Sequence, residues 1–518
     1  MSGRAGARES QSTATLWRGS LRAGGEQARV GRVISPAFVS PAHSVATPER
    51  VSTLVILGVS GDLTSRLLLP GIASLLAEGQ TKGLNIVGVA GPQHTTEAFH
   101  DRINAAFSPW IGKSRGNGDE MLKRTLEGAT LITGDASDPA LLARVSAIDP
   151  GHTALFFALP PAVTQKGLEA LEPGALAEGT VLVLEKPFGH DQASARHLNQ
   201  ALTRLVPESQ IHRVDHFLAK STVLNILGLR FANRFIEPML NADEVESIDV
   251  IYDEDLALEG RAGYYDTAGA LRDMIQSHLL QIMAFILMDQ PSTLTERDLR
   301  DRVGEVLRAT ELDGTMEEAT RRARYSAGSI QDRPVPDYVS EPGVTETNHT
   351  ETLAQIRLRV KASRWAGVPI TIRSGKALGE PRKEIVVTFK PVSYLPAGFT
   401  GVDNPTRLRI GLGPATLKLE LDVNGPGNPF QLDRVALKTA LSSSRVLPYG
   451  EVISSVMDGD LTLSVRGDAA EECWRIVDPI LEAWGRDEVE LEEYPAGSDG
   501  PVAWPVPEED DGTGLPPR

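Results

Sequence analysis

A histidine and an aspartate in different segments of the chain have the types needed for a general-base pair. An apolar stripe at helical spacing includes Leu271, Ile275 and Ile282, and His278 falls on the same stripe. A histidine in such a place is commonly a hydrogen-bonded core residue, which is the structural alternative. Asp215 is available to orient the imidazole, and a carboxylate–imidazole pair can act as a base near neutral pH. His278 is therefore a candidate base and Asp215 its candidate partner.

Two basic side chains next to Asp215 could bind a phosphate group. Residues 213–220 read Arg-Val-Asp-His-Phe-Leu-Ala-Lys. If this segment is helical from His216 onwards, His216 and Lys220 lie four residues apart on one helix face, which suits a dianionic phosphate. The alternative is an ordinary Asp–His contact beside a surface lysine.

A third basic residue, Lys186, follows an apolar run at Val181–Leu184 that is predicted to be the fifth strand. Ligands of open α/β sheets bind beyond the carboxyl ends of the strands, so Lys186 is expected to point into a cofactor crevice. A solvated surface lysine is the alternative.

A glycine turn at residues 58–63, Gly-Val-Ser-Gly-Asp-Leu, joins the first predicted strand to a helix that starts near Thr64. Glycines let backbone N–H groups approach a pyrophosphate, and the helix N-terminus favours its negative charge. The Gly-x-x-Gly spacing differs from the usual Gly-x-Gly-x-x-Gly, and a purely structural turn is the alternative. Its place on the first strand favours a dinucleotide. The candidate cofactor-binding residues of the turn are Gly58, Ser60, Gly61, Asp62 and Leu63.

The end of the second predicted strand leaves the choice between NAD and NADP open. An acid at this position holds the ribose hydroxyls of NAD, whereas an Arg holds the 2′-phosphate of NADP. The strand ends here in Val-Ala-Gly-Pro at residues 89–92 and offers neither. Arg66, in the first helix, is one substitute partner for a 2′-phosphate.

Two patterns of strands and helices position these residues. From about 49 to 208, apolar runs alternate with amphipathic segments such as Leu67–Ala77 and Ala162–Leu171, which predicts a Rossmann-like, doubly wound α/β domain. Its predicted strands, each buried on both faces, are Leu54–Leu57, Ile86–Val89, Thr130–Thr133, Ala154–Leu159 and Val181–Leu184. From 209 to 504, a long helix and alternating strands predict an α+β domain with a large, mostly antiparallel sheet. Its strands include Gln355–Val360, Ile370–Arg373, Glu384–Phe389, Leu408–Leu412 and Ala415–Leu421.

One long helix is expected to carry His278. Residues 259–266 lead into this helix, and Asp266 has the residue type of an N-cap. The helix is expected to run to about Met288.

Composition narrows the class of function. A chain of 518 residues is long enough for two or more domains. Its formal charge of −17 argues against nucleic-acid binding, and a phosphate ligand would need a local basic pocket. No run of about 18 apolar residues predicts a membrane span. The single cysteine, Cys473, excludes an intramolecular disulfide and a cysteine-rich zinc site, and it suits a reducing cytoplasm.

Both ends of the chain are predicted to be solvated extensions. Residues 1–48 are rich in Arg, Ala, Gly and Ser without apolar periodicity, which predicts a disordered extension. They are similar to a transit peptide in being poor in acids, but a flexible tail is favoured. Residues 505–518 are predicted to form an acidic tail.

Together these motifs resemble the glucose-6-phosphate dehydrogenase family, in that family's order and approximate spacing, over roughly residues 50–504. The resemblance implies oxidation of D-glucose 6-phosphate at C1 to 6-phospho-D-glucono-1,5-lactone with NADP or NAD, the first step of the oxidative pentose phosphate pathway. The segments that carry it are Gly58–Leu63, Glu185–Gly189, Asp215–Lys220, Glu259–His278, Arg373–Lys376, Tyr449–Glu451, Trp474–Trp484 and Tyr494–Ser498.

The resemblance also implies a role for each matching residue. His278 would accept the proton of the C1 hydroxyl, and Asp215 would hold its reactive tautomer. His216 and Lys220 would bind the substrate phosphate, and Lys186 would contact both substrate and cofactor. The remaining substrate-binding residues would be Glu254, Asp273, Lys376 and Arg382. A cytoplasmic homodimer or homotetramer built on the C-terminal sheet is implied as well.

Several positions depart from the family's pattern. Phe217 stands where the family has Tyr, and Gly91 stands where it has the Arg that favours NADP. A Gln expected near Gly411–Pro414 is missing, and Arg382 aligns only with a shift of one residue.

Two other interpretations of the sequence compete with membership of this family. A sugar dehydrogenase of the inositol or glucose–fructose oxidoreductase type shares a Glu-Lys-Pro segment like that at 185–187, but it would not need the basic motif at 215–220. A non-catalytic paralogue would fit the altered phosphate site, but retention of His278, Asp215 and Lys186 argues against it.

Overall fold

The computed structural model describes residues 51–504, apart from 80–82, 426 and 443. The predicted extension at 1–48 and the predicted acidic tail at 505–518 lie outside these described residues. Within the described part of the chain, no helix combines the length and the hydropathy that crossing a bilayer requires.

Parallel strands form the first sheet, because a helix returns the chain to the same edge after each apolar run. The strands are β1 (Thr53–Leu57), β2 (Asn85–Ala90), β3 (Thr130–Thr133), β4 (Thr153–Phe157), β5 (Val181–Glu185) and β6 (Ile211–Val214). Their spatial order is β3-β2-β1-β4-β5-β6, so the predicted doubly wound sheet is confirmed. β6 follows the proposed boundary at 208, and the division into domains at that residue stays a prediction.

Burial of these strands follows their place in the sheet. β1 and β4 are buried throughout, as their unbroken apolar sequences predict. The expectation that Thr130–Thr133 is buried on both faces is wrong, because β3 lies at the edge of the sheet and its end residues are exposed. A π-helical turn at Thr64–Leu68 follows the glycine turn. The connecting helices are α1 (Leu69–Ala77), α2 (Thr96–Phe107), α3 (Gly118–Gly128), α4 (Pro139–Ser146), α5 (Pro161–Glu169) and α6 (Gln192–Leu205).

The second large sheet of the described residues is mostly antiparallel, as predicted. Its strands are β7 (Val245–Asp253), β8 (Thr310–Leu312), β9 (Thr320–Ser326), β12 (Leu353–Val360), β13 (Ile370–Gly375), β14 (Arg382–Phe389), β15 (Arg407–Gly411), β16 (Thr416–Asn424), β17 (Leu432–Ala440) and β18 (Leu491–Pro495). Their order is β17-β16-β15-β14-β7-β13-β12-β9-β18, with β8 beside β12. The pairs β7–β13 and β9–β18 are parallel. The strands β10 (Gly328–Ile330) and β11 (Arg333–Val335) pair separately.

The helices of this second part are α7 (Ser221–Phe231), α8 (Ala262–Ala270), α9 (Leu280–Leu287), α10 (Glu296–Ala309), α11 (Met316–Ala319), α12 (Pro448–Asp458) and α13 (Gly467–Gly485). The long helix predicted to run to Met288 is broken. Gly269 has φ +69° and ψ 172°, and a π-helical segment at Leu271–Leu279 separates α8 from α9. This π-helical segment carries His278 and packs against β13 and α13.

Asp266 is not the N-cap that its residue type suggests. It lies inside α8, which begins four residues earlier, at Ala262. Its buried carboxylate accepts hydrogen bonds from the Tyr338 hydroxyl at 2.8 Å and from the backbone N–H of Thr345 at 2.9 Å. Partners far along the chain therefore satisfy this carboxylate, and it does not serve the helix terminus.

A close helix–helix contact joins α12 to the first helix of the Rossmann-like sheet. A Cβ atom at Gly71 on α1 would lie 2.6 Å from the Tyr449 Cβ and 2.8 Å from the Gly450 nitrogen. The Ser74 hydroxyl also accepts a hydrogen bond from the backbone N–H of Leu447 at 2.9 Å. Glycines let the two backbones meet at this distance, so the start of α12 is fixed beside the strand ends of the first sheet.

Candidate active site

The predicted general-base pair is brought together by the fold. Asp215 directly follows β6, and His278 lies in the π-helical segment after α8. The Nδ1 atom of His278 is 2.5 Å from Oδ1 of Asp215, and both side chains are almost completely buried. π-Helical turns are rare and occur often at functional sites. The histidine therefore has the oriented carboxylate partner that its sequence context predicted.

Further contacts fix both members of the pair. The Ser277 hydroxyl donates to Oδ2 of Asp215 at 2.9 Å, and the Phe217 backbone N–H donates to Oδ1 at 3.0 Å. The Phe217 ring stacks on the His278 ring, with centroids 4.1 Å apart and an interplanar angle of 22°. In the sequence Phe217 is only a departure from the family's Tyr, because a pattern of single residues gives no signal for this packing.

The environment keeps the pair in the state that a general base requires. Burial lowers the pKa of His278 below its ordinary value, and the attraction of Asp215 offsets this only in part. Burial alone would raise the pKa of Asp215, but the neighbouring His278 and its hydrogen bond lower the pKa below the usual range. At neutral pH the aspartate is therefore ionised and the imidazole is neutral and able to accept a proton.

The predicted helical pairing of His216 with Lys220 is wrong. Residues 216–219 form a turn, and α7 begins only at Ser221. The reason is local, because the Asp215 carboxylate accepts the Phe217 N–H and so offers the backbone an alternative to a helix.

The two side chains nevertheless lie beside the base. The His216 ring centroid is 5.2 Å from that of His278, and the Lys220 Nζ is 3.5 Å from the centroid of the Phe217 ring. Burial and the nearby His278 lower the pKa of His216 to about 3. Burial and Lys383 lower the pKa of Lys220 to about 8. His216 is therefore neutral at neutral pH in this environment, and not the cation that the sequence suggested.

Lys186 lies beside Asp273. Its Nζ donates to the Asp273 backbone carbonyl at 2.7 Å and to the Asp273 carboxylate at 3.2 Å. The Tyr264 hydroxyl donates to the same carboxylate at 3.3 Å. Burial opposes the charge on Lys186, but Asp273 and Tyr264 attract it and raise its pKa. Lys186 is therefore a charged, positioned group and not the solvated surface lysine of the alternative reading.

A second lysine–carboxylate pair extends this cluster. The Lys376 Nζ donates to Oε2 of Glu254 at 2.7 Å, and the Lys383 Nζ lies 3.7 Å from Oε1 of the same carboxylate. Lys376 also helps to lower the pKa of Asp273, after Lys186, although burial of that carboxyl opposes the change. These cations and carboxylates therefore face one another around a single polar site.

The candidate Arg382 contacts a carboxylate on its own strand. Its guanidinium donates to Glu384 at 2.9 Å, and it pairs across the sheet with Asp253. Alternate residues of a strand point to opposite faces, so its neighbour Lys383, opposite Tyr252, reaches the site. We therefore add Lys383 to Arg382 as a candidate. The one-residue shift in the sequence was the available signal, but the strand register could not be deduced from it.

The glycine turn has the backbone geometry that a dinucleotide site needs. Gly58 has φ +84°, and a Cβ atom there would lie 2.5 Å from the Ala158 carbonyl oxygen. The backbone N–H groups of Gly58 and Val59 donate to the Val89 carbonyl at 3.0 and 3.1 Å. The buried Thr64 hydroxyl, at the start of the following helix, has no hydrogen-bond partner within the described ranges. A side-chain-free cradle and an unpaired polar atom at a helix start fit a nucleotide pyrophosphate.

The arginine side chains around the glycine turn are not placed as the sequence suggested. Arg66 lies 3.2 Å from Asp62, and both side chains are exposed, so the candidate 2′-phosphate partner is already in an ion pair. Arg102 on α2, which sequence analysis missed, donates to the Ser60 carbonyl at 3.1 Å and also contacts the Ser65 hydroxyl. Only the return of α2 after β2 brings this arginine to the turn.

Comparisons with known proteins agree with this arrangement. Residues 55–225 match the family model "Glucose-6-phosphate dehydrogenase, NAD binding domain", and residues 227–512 match "Glucose-6-phosphate dehydrogenase, C-terminal domain". The chain belongs to the glucose-6-phosphate dehydrogenase family. As a member of this family it has an NAD(P)-binding domain, and NADP or NAD is its cofactor.

Similar proteins cover nearly the whole described chain. The glucose-6-phosphate 1-dehydrogenase of Gluconobacter oxydans is 37% identical over 86% of this chain and 94% of its own length. That of Zymomonas mobilis is 34% identical over 87% of this chain and 96% of its own length. A crystal structure of the Mycobacterium avium enzyme has a TM-score of 0.76 and 30% identity, and it covers 89% of this chain and all of that one. A glucose-6-phosphate dehydrogenase in complex with glucose 6-phosphate has a TM-score of 0.78 and 27% identity, covering 88% of this chain and 97% of that one.

We predict that Asp215→Asn lowers kcat by about 10²- to 10⁴-fold, because the imidazole then loses the partner that holds its tautomer. Since Asp215 raises the pKa of His278, its neutralisation moves the acid limb of the kcat/KM profile to lower pH. Steady-state rates measured across the acid range test both effects. Ser277→Ala is the matched control, because it removes one hydrogen bond from Asp215 and is expected to cost less than about tenfold. An Asp215→Asn variant with the wild-type rate and profile contradicts the assignment.

Proposed function

We propose that this chain oxidises D-glucose 6-phosphate at C1 to 6-phospho-D-glucono-1,5-lactone, with hydride transfer to NADP or NAD. The observation that carries the proposal is the buried Asp215–His278 pair within a lysine-rich cluster. Lys186 and Asp215 follow the carboxyl ends of β5 and β6, and the glycine turn follows β1, in the same parallel sheet. Ligands of such sheets bind beyond this edge. The reaction is the entry to the oxidative pentose phosphate pathway.

In this proposal His278 is the general base. Asp215 holds a proton on Nδ1 of the imidazole, which leaves Nε2 to accept the proton of the C1 hydroxyl. As that proton leaves, a C1–O double bond forms and the C1 hydrogen departs as hydride, so charge and atoms balance. The bound nicotinamide supplies the hydride acceptor. The burial and neutral state of His278 support this role, because a protonated imidazole could not act as a base.

The surrounding side chains divide between the phosphate and the sugar. His216 and Lys220 bind the substrate phosphate, the first as a neutral hydrogen-bond donor and the second as a cation. Lys186 contacts both substrate and cofactor. The carboxylates of Glu254 and Asp273 accept hydrogen bonds from sugar hydroxyls. Arg382 and the two lysines that neutralise these carboxylates, Lys376 and Lys383, complete the substrate side.

The cofactor is held by the glycine turn, at Gly58, Ser60, Gly61, Asp62 and Leu63. Backbone groups bind its pyrophosphate, and Lys186 approaches its reactive end. Both NADP and NAD stay candidates. Gly91 offers no side chain to a 2′-phosphate, and Arg66 is paired with Asp62.

We further propose that the chain works in the cytoplasm as a homodimer or homotetramer built on the second sheet. The apolar side chains of Phe430, just before the edge strand β17, and Leu437, within it, are 59% and 62% exposed, which supports an interface there. The division into a cofactor domain at 49–208 and a substrate domain at 209–504 is part of the same proposal. The buried, unpaired Cys473 suits a reducing compartment.

We predict that His278→Asn lowers turnover of glucose 6-phosphate by at least about 10²-fold while KM changes little, because the variant keeps the pocket but has no base. Reduced-cofactor absorbance with NADP and with NAD in turn provides the measurement. A rate close to wild type in this variant refutes the mechanism. Faster oxidation of free glucose than of glucose 6-phosphate by the wild-type chain would favour the sugar-dehydrogenase alternative. No reduction of either cofactor by folded protein would favour a non-catalytic paralogue.

We predict that Phe430→Glu combined with Leu437→Glu lowers the molar mass in solution, because buried charges without partners oppose association. Light scattering after size-exclusion chromatography measures that mass. Phe235→Glu is the control, since Phe235 is 63% exposed outside the second sheet. An unchanged oligomer in the double variant, or dissociation by the control, places the interface elsewhere.

A further inference from the structure

A carboxyl group that the proposed reaction does not use lies next to its key residues. Glu185 is the last residue of β5 and directly precedes Lys186. Its Oε1 atom is buried and has no hydrogen-bond partner among the described residues. Buried polar atoms normally have partners, so an unpaired carboxyl oxygen at this place calls for an explanation.

Tyr449 connects this carboxyl group to a substrate-binding candidate. The Tyr449 hydroxyl and the Glu185 carboxyl are neighbours, and their interaction opposes the rise that burial causes in the pKa of Glu185. The Tyr449 ring stacks on the His216 ring, with centroids 5.6 Å apart and an interplanar angle of 20°. Tyr449 is buried at the start of α12. One side chain therefore contacts Glu185 at its hydroxyl and His216 at its ring face.

The backbone of Tyr449 is fixed as well. The contact of Gly71 with Tyr449 and Gly450 leaves no room for a single added carbon, and the Ser74–Leu447 hydrogen bond lies beside it. The position of the Tyr449 ring thus depends on a close-packed helix contact at one end and on Glu185 at the other. The imidazole of His216 has the face of this ring on one side and the edge-on contact with His278 as a second ring neighbour.

We propose that Glu185 and Tyr449 form a positioning pair that sets the orientation of His216 for the substrate phosphate. The proposal rests on the proposed function, in which His216 contacts that phosphate. Glu185 anchors the tyrosine hydroxyl, and the tyrosine ring fixes the plane of the imidazole. A neutral imidazole can donate to phosphate only if its N–H points at the oxygen, so its orientation governs affinity more than its charge does.

The charge state of Glu185 adds a pH dependence to this arrangement. Burial raises the pKa of Glu185 to about 8; the Tyr449 hydrogen bond and Lys186 oppose the rise, and Asp215 adds to it. The carboxyl group is therefore protonated at neutral pH. Above that pKa it becomes a second negative charge beside Asp215 and near the phosphate-binding groups, which disfavours a dianionic ligand. Lys220, with a pKa of about 8, loses its charge in the same range and acts in the same direction.

The first test is Tyr449→Phe, which keeps the ring but removes the anchoring hydroxyl. KM for glucose 6-phosphate is expected to rise about five- to tenfold, with kcat within about twofold, as for loss of one oriented hydrogen bond. The inhibition constant of inorganic phosphate, which probes the phosphate subsite alone, should rise by the same factor. Val456→Ala, a buried change on the same helix, is the control and should leave both constants unchanged. Unchanged constants in folded Tyr449→Phe protein would overturn the proposal.

A second test uses Glu185→Gln, which imitates the protonated carboxyl group. KM at neutral pH should stay within about twofold of wild type, and its rise between about pH 7 and 9 should be smaller than in wild type. Glu185→Ala should raise KM already at neutral pH, because the tyrosine loses its anchor. An identical alkaline rise in wild type and Glu185→Gln assigns that rise to Lys220 and removes Glu185 from the proposal.

His216→Ala separates this proposal from the function on which it rests. If His216→Ala leaves KM and the phosphate inhibition constant unchanged, the phosphate role of His216 itself fails. If His216→Ala raises both constants and Tyr449→Phe does not, only the positioning pair fails. If Tyr449 acts through His216, the Tyr449→Phe change should have no further effect in the His216→Ala background.

Discussion

The hydrogen bond between the Asp215 carboxylate and the His278 imidazole is the interaction on which the rest of the site depends. Taking either group out of water alone is unfavourable, and each is tolerated because the other is its partner. The glycine break before the π-helical segment brings the imidazole to the end of β6. The Ser277 hydroxyl and the Phe217 N–H donate further hydrogen bonds to the Asp215 carboxylate. The glycine break, the π-helical segment and the turn after Asp215 thus all serve the geometry of one buried pair.

The same balance of charges explains how a strongly acidic protein can receive a phosphorylated sugar. With a formal charge of −17 the chain repels anions at long range, so cations must be concentrated where the ligand binds. Lys186 and Lys376 are each held by a carboxylate, Asp273 or Glu254, within the site. These pairs keep the lysines oriented before substrate arrives, and in the proposed mechanism the carboxylates accept hydrogen bonds from sugar hydroxyls. The pocket is therefore preorganised, and Lys220 beside these pairs adds a positive charge for the phosphate.

Sequence alone predicted the parts of the structure that depend on local pattern. Unbroken apolar runs identified β1, β2, β4 and β5, and the glycine turn was recognised at the end of β1. The Asp215–His278 pair was also predictable, because it needs only a base and an available partner on segments of known type. Features that depend on tertiary context could not be predicted from the sequence. The turn that replaces a helix after Asp215 depends on a side-chain hydrogen bond. The position of the Lys383 side chain depends on strand register. Tyr449 lies on a helix that is more than two hundred residues away in the sequence. The lowered pKa of His216 likewise depends on burial that no short motif encodes.

The most direct test of the central claim is the tautomer and the titration of the His278 ring, read by nitrogen-15 NMR of the labelled protein and assigned with a His278 variant. The account predicts a proton on Nδ1, an unprotonated Nε2 at neutral pH, and a pKa below the ordinary value of 6.5. A proton on Nε2, or an imidazole that stays doubly protonated above neutral pH, would contradict it, because neither form could accept the proton of a sugar hydroxyl at that nitrogen.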